Sequence, residues 1–497
     1  MWYLTDVQGD CCEVVDTEDY VVEYVTERGL KKIARQHAIN GVDNDTLHVR
    51  SLYDIATVES TVAKIAGNEY CIKLYDKFDV LKTIKDEDKW KLYLHCSDEQ
   101  SLFLYGLTVK SAVIKLPYGI TDVYMYTDDT VIQVSGVREL IMPDTIRFLW
   151  DGYLFQSEDY VKQLGYVRLS ANLVYIGSSN FASMPIKEIE LPDSLQYISS
   201  FAFYECKKLR SVILPKNLVC IDVSAFNECS ALESVDFSKV QNIECIGDGA
   251  FGVTGIKEIV LPEGLTSIAP KLFHKCYCLY RVVIPSTVLV IGCEAFHECV
   301  KLVDCVIPDR ITSIDRNAFS MCSELTELTL PKSMLVLERA IWAKCSKLKK
   351  LNLPETVQEM SVMLVNECRS LTQIKYPKVE NVDYLINAVR THIFPDSSVY
   401  LPRTFYEFWG CKSLKVVSMG AAQYYAYKVC GCSKALYSNS VLKYEIRPDE
   451  RYKDLTIVVK DLFADNAIRH TLIVPEGTEV DFSGYANVDS VSLIYRG

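Results

Sequence analysis

The chain of 497 residues lacks the motifs of the common enzyme classes. No GxSxG, HExxH, Walker or GxGxxG pattern occurs, and only seven histidines are present. The residue types that most often act as catalysts therefore have no recognisable arrangement. Acidic side chains are plentiful but scattered. We expect no enzymatic activity, and we assign no catalytic residue.

Long apolar runs and basic clusters are also missing. No stretch of 18 apolar residues occurs, which argues against insertion into a membrane. Lys and Arg number 53 against 65 Asp and Glu, which gives a formal net charge of −12. An acidic chain with no basic run is not expected to bind nucleic acid or an anionic membrane surface.

Targeting and linker segments are missing as well. The first part of the sequence does not combine a basic segment with an apolar one, as a signal peptide would. This predicts a cytoplasmic protein, with a secreted or cell-surface location as the alternative if a leader has been removed. No Gly/Ser-rich or Pro-rich linker interrupts a chain that is 49% hydrophobic, so we expect one elongated, monomeric body.

What the chain does contain is a repeat of about 23 residues. A hydrophobic residue followed by proline recurs at this interval, with Ser238 replacing the proline once. The prolines are Pro192, Pro215, Pro262, Pro285, Pro308, Pro331, Pro354 and Pro377. A repeat of this length is typical of a solenoid, in which each coil buries its apolar face only by stacking on its neighbours.

Three further columns keep the same interval. The first column holds Ile198, Ile221, Ile246, Ile268, Ile291, Ile314, Leu337 and Met360. The aromatic column holds Phe203, Phe226, Phe251, Phe273, Phe296, Phe319 and Trp342. The cysteine column follows three residues after the aromatic and holds Cys206, Cys229, Cys276, Cys299, Cys322, Cys345 and Cys368, with Thr254 in the repeat that slips register. The unit reads roughly LxxVxLPxxLxxIxxxAFxxC.

Each part of this unit predicts a local structure. LxxVxLP alternates apolar and variable residues, so it is expected to form a short strand with one buried face, which the proline ends. We expect parallel strands at 187–191, 210–214, 257–261, 280–284, 303–307 and 326–330. The second hydrophobic group closes the back of the coil, and each aromatic is expected to rest on that of the next coil.

The segment LPDSLQYISSFAFYECKKLRSVILP, from Leu191 to Pro215, resembles the BspA-like class of bacterial leucine-rich repeats almost throughout. The resemblance is strong from about Ile186 to Pro377. It implies an α/β-type solenoid, mostly β and right-handed, with a parallel sheet on its concave face that is used for binding. Members of the family include surface proteins and adhesins, and the family has no shared catalytic residues to carry over.

The chain is predicted to have three parts. Residues 1–106 do not carry the repeat and are expected to form a small α+β capping region, since an uncovered end coil would expose its core. Residues 107–402 form the solenoid, most regular over 186–377. Residues 403–497 hold irregular repeats and a second cap.

Within the first of these parts the local patterns differ. Tyr20 to Glu27 and Leu30 to Gln36 are predicted to be helical, with Gly29 between them. Tyr70 to Tyr75 and Trp90 to His95 alternate enough to predict strands.

The nineteen cysteines do not suggest a disulfide framework. Their number is odd, so at least one thiol is unpaired. Seven of them share one column, where each is a small buried apolar residue whose side chain points the same way as its neighbours. We interpret most of the cysteines as reduced core thiols.

His274 and His297 occupy the same place in successive repeats, each two residues before a column cysteine. Stacking would bring the imidazoles together, and two histidines with cysteine could bind zinc. Asn227 occupies this place in another coil, which favours exposed turn residues with the thiols pointing inward. No cysteine pair has CxxC spacing either, so we expect no metal and no cofactor.

One surface feature stands out from the repeats. The residue between the two inward positions of each strand is expected to face outward, and it is β-branched in four adjacent repeats. The candidate partner-binding residues are Val260, Tyr280, Val283, Val303, Val306 and Thr329. A contiguous exposed apolar patch usually marks a binding site. β-branched residues also suit an exposed strand that binds nothing, and this interpretation stays open.

The leading hypothesis is a non-catalytic protein-binding scaffold that uses the concave face of the solenoid. One alternative is a cell-surface adhesin that binds a host matrix protein. A second alternative is a carbohydrate-binding accessory module in which some of the 31 tyrosines stack on sugar rings.

Overall fold

The structure is a computed structural model of the whole chain. It describes short strand segments between residues 21 and 123, and then 138–154, 164–378, 380–393, 408, 410–430, 436, 440–463, 465–466 and 468–496. The chain forms two compact units, Met1–Phe251 and Gly252–Gly497, and each is described by itself.

The first unit begins with antiparallel strands and continues with parallel ones. The antiparallel strands are β1 Val21–Thr26, β2 Gly29–Ala34, β3 Thr61–Ile65, β4 Asn68–Lys73, β5 Leu81–Asp86, β6 Trp90–Cys96 and β7 Leu102–Val109. The strands of the coils are β8 Val113–Lys115, β9 Asp122–Val123, β10 Glu139–Ile141, β11 Phe148–Leu149, β12 Tyr166–Arg168, β13 Tyr175–Ile176, β14 Tyr197–Ile198, β15 Ser211–Ile213, β16 Cys220–Ile221, β17 Ser234–Asp236 and β18 Cys245–Ile246.

The predicted N-terminal helices are wrong. β1 and β2 form an antiparallel hairpin in which Val21 pairs with Ala34 and Thr26 with Gly29. The sequence VVEYVT is rich in β-branched residues, and a helix of so few residues is marginal in water, so pairing of the two segments is favoured. The strand predicted at Trp90–His95 is confirmed within β6, and the one predicted at Tyr70–Tyr75 is confirmed by β4 as far as Lys73, since residues 74 and 75 lie outside the described residues.

The coils of the first unit form two sets of parallel strands. The first sheet contains the strands that precede the proline column, and it is present as β8-β10-β12 and as β15-β17. The second sheet contains two-residue strands that end at the isoleucine column, in the order β9-β11-β13-β14-β16-β18. Strands β3 to β7 extend this second sheet, because β7 pairs with β9 in parallel. Their role as a cap stays a prediction.

The second unit repeats this arrangement with a different C-terminal part. Its strands are β19 Glu258–Val260, β20 Ser267–Ile268, β21 Arg281–Val283, β22 Val290–Ile291, β23 Asp304–Val306, β24 Ser313–Ile314, β25 Val336–Leu337, β26 Lys350–Asn352, β27 Glu359–Met360, β28 Gln373–Lys375, β29 Val416–Gly420, β30 Lys443–Arg447, β31 Ile457–Val458, β32 His470–Pro475, β33 Val480–Asp481 and β34 Val491–Arg496. Its helices are α1 Val382–Ile393 and α2 Ala421–Val429, with 3₁₀ turns at Glu450–Tyr452, Val459–Asp461 and Val488–Ser490.

The sheets of the second unit are also parallel. The first sheet is present as β19-β21-β23 and, further along the chain, as β26-β28-β29-β30-β32-β34. The second sheet runs β20-β22-β24-β25-β27, and β31 pairs with β33. Helix α1 begins after Asn381, whose Oδ1 accepts a 3.0 Å hydrogen bond from the backbone N–H of Tyr384.

The core of both units is built from the predicted columns. Phe203 and Phe226 stack in the first unit with ring centroids 5.0 Å apart, and Phe273 and Phe296 stack in the second at 5.5 Å. Trp342 is fully buried in the same column. All seven column cysteines are buried and form no disulfide, as predicted. Burial raises the pKa values of Cys229, Cys276, Cys299, Cys322, Cys345 and Cys368, to about 11 for Cys276.

Two predicted strands are not strands in the structure. Segments 187–191 and 326–330 keep the expected alternation, since Ile189 and Leu328 are buried, but they do not join a sheet. Each segment accepts only one backbone hydrogen bond from the coil that follows, at Lys187 and at Thr326. The alternation of apolar and polar residues determines which side chains face inward. The distance between neighbouring strands depends instead on how the other parts of the two coils pack.

Candidate functional site

Three valines lie side by side on the surface of the second unit. In the sheet β19-β21-β23, Val260 pairs with Val283 and Val283 with Val306. The exposed fractions of these residues are 59%, 36% and 73%, respectively. The residues between the charged and valine positions, Ile259 and Val282, are buried. We call Val260, Val283 and Val306 the valine stripe.

A row of charges follows one side of the valine stripe. The guanidinium of Arg281 lies 3.0 Å from the Asp304 carboxylate through Nε, and its Nη1 lies 3.8 Å from the Glu258 carboxylate. All three side chains are about half exposed, so these ion pairs contribute little to stability. They do hold the charges in a fixed line beside the apolar surface.

The other predicted site residues take different places around the valine stripe. Tyr280 and Val303 are exposed and lie next to each other, because the Tyr280 carbonyl accepts a 3.1 Å hydrogen bond from the Val303 N–H. Thr329 is exposed but belongs to segment 326–330, which joins no sheet. The structure therefore places five of the six predicted residues on one sheet or its direct flank and leaves Thr329 beyond its edge.

A groove that the sequence did not predict separates Thr329 from the valine stripe. It lies between 305–307 and 327–330, continues along Asp309 and 331–333, and has a volume of about 700 Å³. Val306 and Thr329 both line it. We call it the 306–329 cleft. No sequence signal marks it, because TELTLP at 326–331 has the same pattern as the paired repeats.

The two repeat histidines stack as predicted. The ring centroids of His274 and His297 are 5.1 Å apart with an angle of 16° between planes. His274 Nδ1 lies 3.7 Å from the Glu294 carboxylate, and His297 Nε2 lies 3.3 Å from that of Glu298. Burial is the main cause that lowers the pKa of both imidazoles, and His297 lowers that of His274 further.

These imidazoles do not form part of a recognisable metal site. In the portion of the chain that the structure describes, no group of three or more His, Cys, Asp or Glu side chains is placed to hold a metal ion. The Nδ1 atoms of His274 and His297 are buried without a hydrogen-bond partner. The pair therefore has the geometry of stacked neutral rings.

A disulfide that the sequence reasoning missed joins two coils of the first unit. Cys220 and Cys245 are paired in register in β16 and β18, with Cα atoms 5.0 Å apart, and are bonded. They precede the isoleucine column and lie outside the cysteine column. Their side chains face outward from the second sheet, where two cysteines in register are close enough to bond.

Comparison with known proteins assigns the fold. The model of the BspA type leucine rich repeat region matches residues 153–280 and 266–400 in six copies. Together with the 23-residue coils and their columns, this match shows that the chain belongs to the BspA-type leucine-rich repeat family. A search of curated proteins gives no significant match.

Several solved bacterial structures are similar to this chain at low identity. A leucine-rich repeat protein from Bacteroides ovatus is 20% identical, with 72% of this chain and 98% of that one covered and a TM-score of 0.46. A leucine rich cell surface protein from Faecalibacterium prausnitzii is 18% identical, with 67% and 94% covered and a TM-score of 0.42. The pneumococcal vaccine antigen PcpA is 14% identical, with 83% and 98% covered and a TM-score of 0.44.

None of the helices in the described ranges has both the length and the apolar character needed to cross a membrane.

Proposed function

We propose that the chain is a non-catalytic scaffold that binds a protein partner through the valine stripe. The observation that carries this proposal is the exposure of three valines in strict register on one small parallel sheet. Exposed apolar area of this kind, with a charged row beside it, has the composition of a protein interface: a dry centre within a polar rim.

The rigidity of this surface supports the proposal. The backbone of each stripe residue is fixed in a ladder, and the neighbouring side chains Ile259 and Val282 are anchored in the core. Little conformational entropy would be lost when a partner covers such a surface. The line of Glu258, Arg281 and Asp304 would orient the partner through its charge pattern.

Photo-crosslinking in the organism that produces the protein tests this proposal. A photoreactive amino acid is introduced at Val283 in one variant and at Val488, a similarly exposed apolar residue outside the stripe, in the other. We expect a discrete crosslinked protein, identified by mass spectrometry, from the Val283 position alone. Equal crosslinking from both positions, or none from Val283, would contradict the proposal.

The Cys220–Cys245 disulfide gives information on the cellular compartment in which the partner would be bound. Disulfides persist in oxidising environments and are rare in the cytosol. This supports the secreted or cell-surface alternative over the cytoplasmic prediction, and with it an extracellular protein as the partner. The buried column thiols agree with either compartment, because their burial keeps them from oxidants.

Carbohydrate binding is a second candidate, favoured by an aromatic column on the second sheet of the first unit. Phe148, Tyr175 and Tyr197 pair in register on β11, β13 and β14, and Trp150 stacks on Phe148 with centroids 5.4 Å apart. Aromatic rings on a surface can pack against the apolar faces of sugar rings. A glycan array with the parent and with Tyr197→Ala would show sugar binding that depends on Tyr197 if this candidate is right.

A further inference from the structure

The first sheet of the second unit is interrupted at the 306–329 cleft. Strand β23 pairs with β21 on one side, where the N–H of Asp304 donates a 3.1 Å hydrogen bond to the carbonyl of Tyr280. Alternate residues of a parallel strand bond to opposite neighbours. The backbone groups of Cys305 therefore face the cleft, and in the described part of the chain the ladder resumes only at β26.

Between the coils that contain 303–307 and 326–330, the ladder is interrupted only in the first sheet. Before the cleft, the N–H of Glu324 donates a 3.1 Å hydrogen bond to the carbonyl of Val300. After it, the hydroxyl of Ser333 donates a 2.6 Å hydrogen bond to the carbonyl of Ile311, and β24 pairs with β25. The coils are thus joined normally at both ends of the cleft, which makes it a bounded groove.

The lining of the cleft favours a ligand with a peptide backbone. Unpaired backbone donors and acceptors are costly unless water or a ligand satisfies them. The strand edge at Cys305 and the extended segment 327–330 offer such groups from two sides, as the open edges that accept an added strand do. Val306 supplies apolar surface at the rim, and Leu328 and Leu330 close the inner side.

The charges of the lining favour a basic residue in that ligand. The exposed carboxylates of Asp309 and Glu327 line the cleft, and Lys332 is its one basic lining residue. An arginine or lysine beside Glu327 would be attracted, whereas an acidic side chain at that place would be repelled.

We propose that the 306–329 cleft binds an extended polypeptide segment of the partner. The backbone of this segment pairs with Cys305 and with 327–329. One of its apolar side chains packs against Val306, and a basic side chain lies beside Glu327. This inference rests on the proposed function and deepens it, since the cleft adjoins the valine stripe. It identifies the partner as a protein with an extended, basic and apolar segment.

The test begins with hydrogen exchange in the free full-length protein. The amides of 327–330 should exchange faster than those of Arg281–Val283, which lie in the central strand of the three-stranded sheet. Equal protection of the two segments would mean that the ladder is closed, and it would overturn the inference.

The second step uses a phage-displayed library of linear peptides selected on the full-length protein. A selected peptide should slow exchange at 327–330, and N-methylation of its alternate residues should weaken its affinity about tenfold or more, because each methyl group removes a backbone donor. The variant Glu327→Pro removes an N–H outside any ladder together with the carboxylate beside the basic residue, and it should bind the unmethylated peptide as weakly as the parent binds the methylated one. Equal affinity of the methylated and unmethylated peptides, or failure of every selected peptide to protect 327–330, would overturn the inference.

These outcomes are separable from failure of the proposed function. If crosslinking at Val283 identifies a partner whose binding leaves exchange at 327–330 unchanged, the valine stripe is retained and the cleft is rejected. If a peptide protects the cleft but no partner crosslinks at Val283, the stripe is rejected and peptide binding stands alone. The peptide measurements are made on the parent protein, so they remain decisive even if Glu327→Pro does not fold.

Discussion

The thiol of Cys299 donates a 3.1 Å hydrogen bond to the carbonyl oxygen of Phe273 in the preceding coil. Cys322 makes the same contact with Phe296, and Cys345 with Phe319. The spacing of three residues between aromatic and cysteine therefore has a physical cause. A small buried side chain is needed that also donates a second hydrogen bond to the Phe273 carbonyl, which already accepts one from the backbone N–H of Cys276.

Replacing Cys299 tests this role of the column. Cys299→Val should lower the free energy of unfolding by about 0.5–1.5 kcal/mol, because the Phe273 carbonyl loses its thiol donor but keeps the backbone N–H of Cys276. Cys299→Thr should cost less, since Thr254 already occupies this place in another repeat and its hydroxyl lies 3.2 Å from the Cys276 sulfur. Urea denaturation measures both. Equal losses in the two variants would show that only volume matters.

The stacked aromatic column should carry much of the stability of the second unit. Phe296 is fully buried between Phe273 and Phe319, with ring centroids 5.5 and 5.2 Å away. Phe296→Ala should lower the free energy of unfolding by about 3–5 kcal/mol, because it leaves a cavity in a close-packed column. Thr329→Ala, at an exposed position, is the matched control and should change it by no more than about 0.5 kcal/mol. A small effect of Phe296→Ala would contradict the packing.

The histidine pair should make stability depend on pH. A base whose pKa is lower in the folded chain binds fewer protons there, so its contribution is fully present above the ordinary pKa of about 6.5 and is lost as the pH falls below it. The free energy of unfolding should therefore fall between pH 7 and pH 5. The double variant His274→Asn, His297→Asn should show a flatter profile, since Asn227 already occupies this place in the first unit. If the parent and the double variant showed the same pH dependence of the free energy of unfolding, the histidine pair would not be its cause.

The disulfide should stabilise the first unit. Cys220 and Cys245 close a loop with a sequence separation of 25, for which chain entropy predicts about 3 kcal/mol. A reducing agent should lower the free energy of unfolding of the parent by that order, and it should not affect the double variant Cys220→Ser, Cys245→Ser. Insensitivity of the parent to reduction would mean that the bond does not form in solution.

Much of the fold could be predicted from the sequence because the same pattern of buried and exposed residues recurs from repeat to repeat. The alternation in LxxVxLP places Val282 inward and Val283 outward, and both positions are confirmed. The second sheet was missed as a set of strands because its members, such as Tyr197–Ile198, bury a single side chain and show no alternation. Helix α2 was missed because AAQYYAYKV is buried on most sides and lacks an amphipathic pattern.

The site was only partly predictable for a related reason. The sequence places apolar residues on a face, so the valine stripe could be anticipated. The distance between two coils cannot be read from the sequence. The alternation of apolar residues at 326–330 is as regular as in the paired strand Arg281–Val283. The 306–329 cleft therefore follows only from the structure.

The most direct test of the central claim compares Val283→Asp with Val488→Asp in binding to the partner identified by crosslinking. Val283 and Val488 are similarly exposed, at 36% and 43%, and only Val283 belongs to the valine stripe. Unchanged melting temperatures would show that both variants are folded. Val283→Asp should then raise the dissociation constant about thirtyfold or more, as the loss of an interface hot spot does. Val488→Asp should leave the dissociation constant unchanged. Parent-like affinity of a folded Val283→Asp variant would show that the valine stripe is not the binding surface.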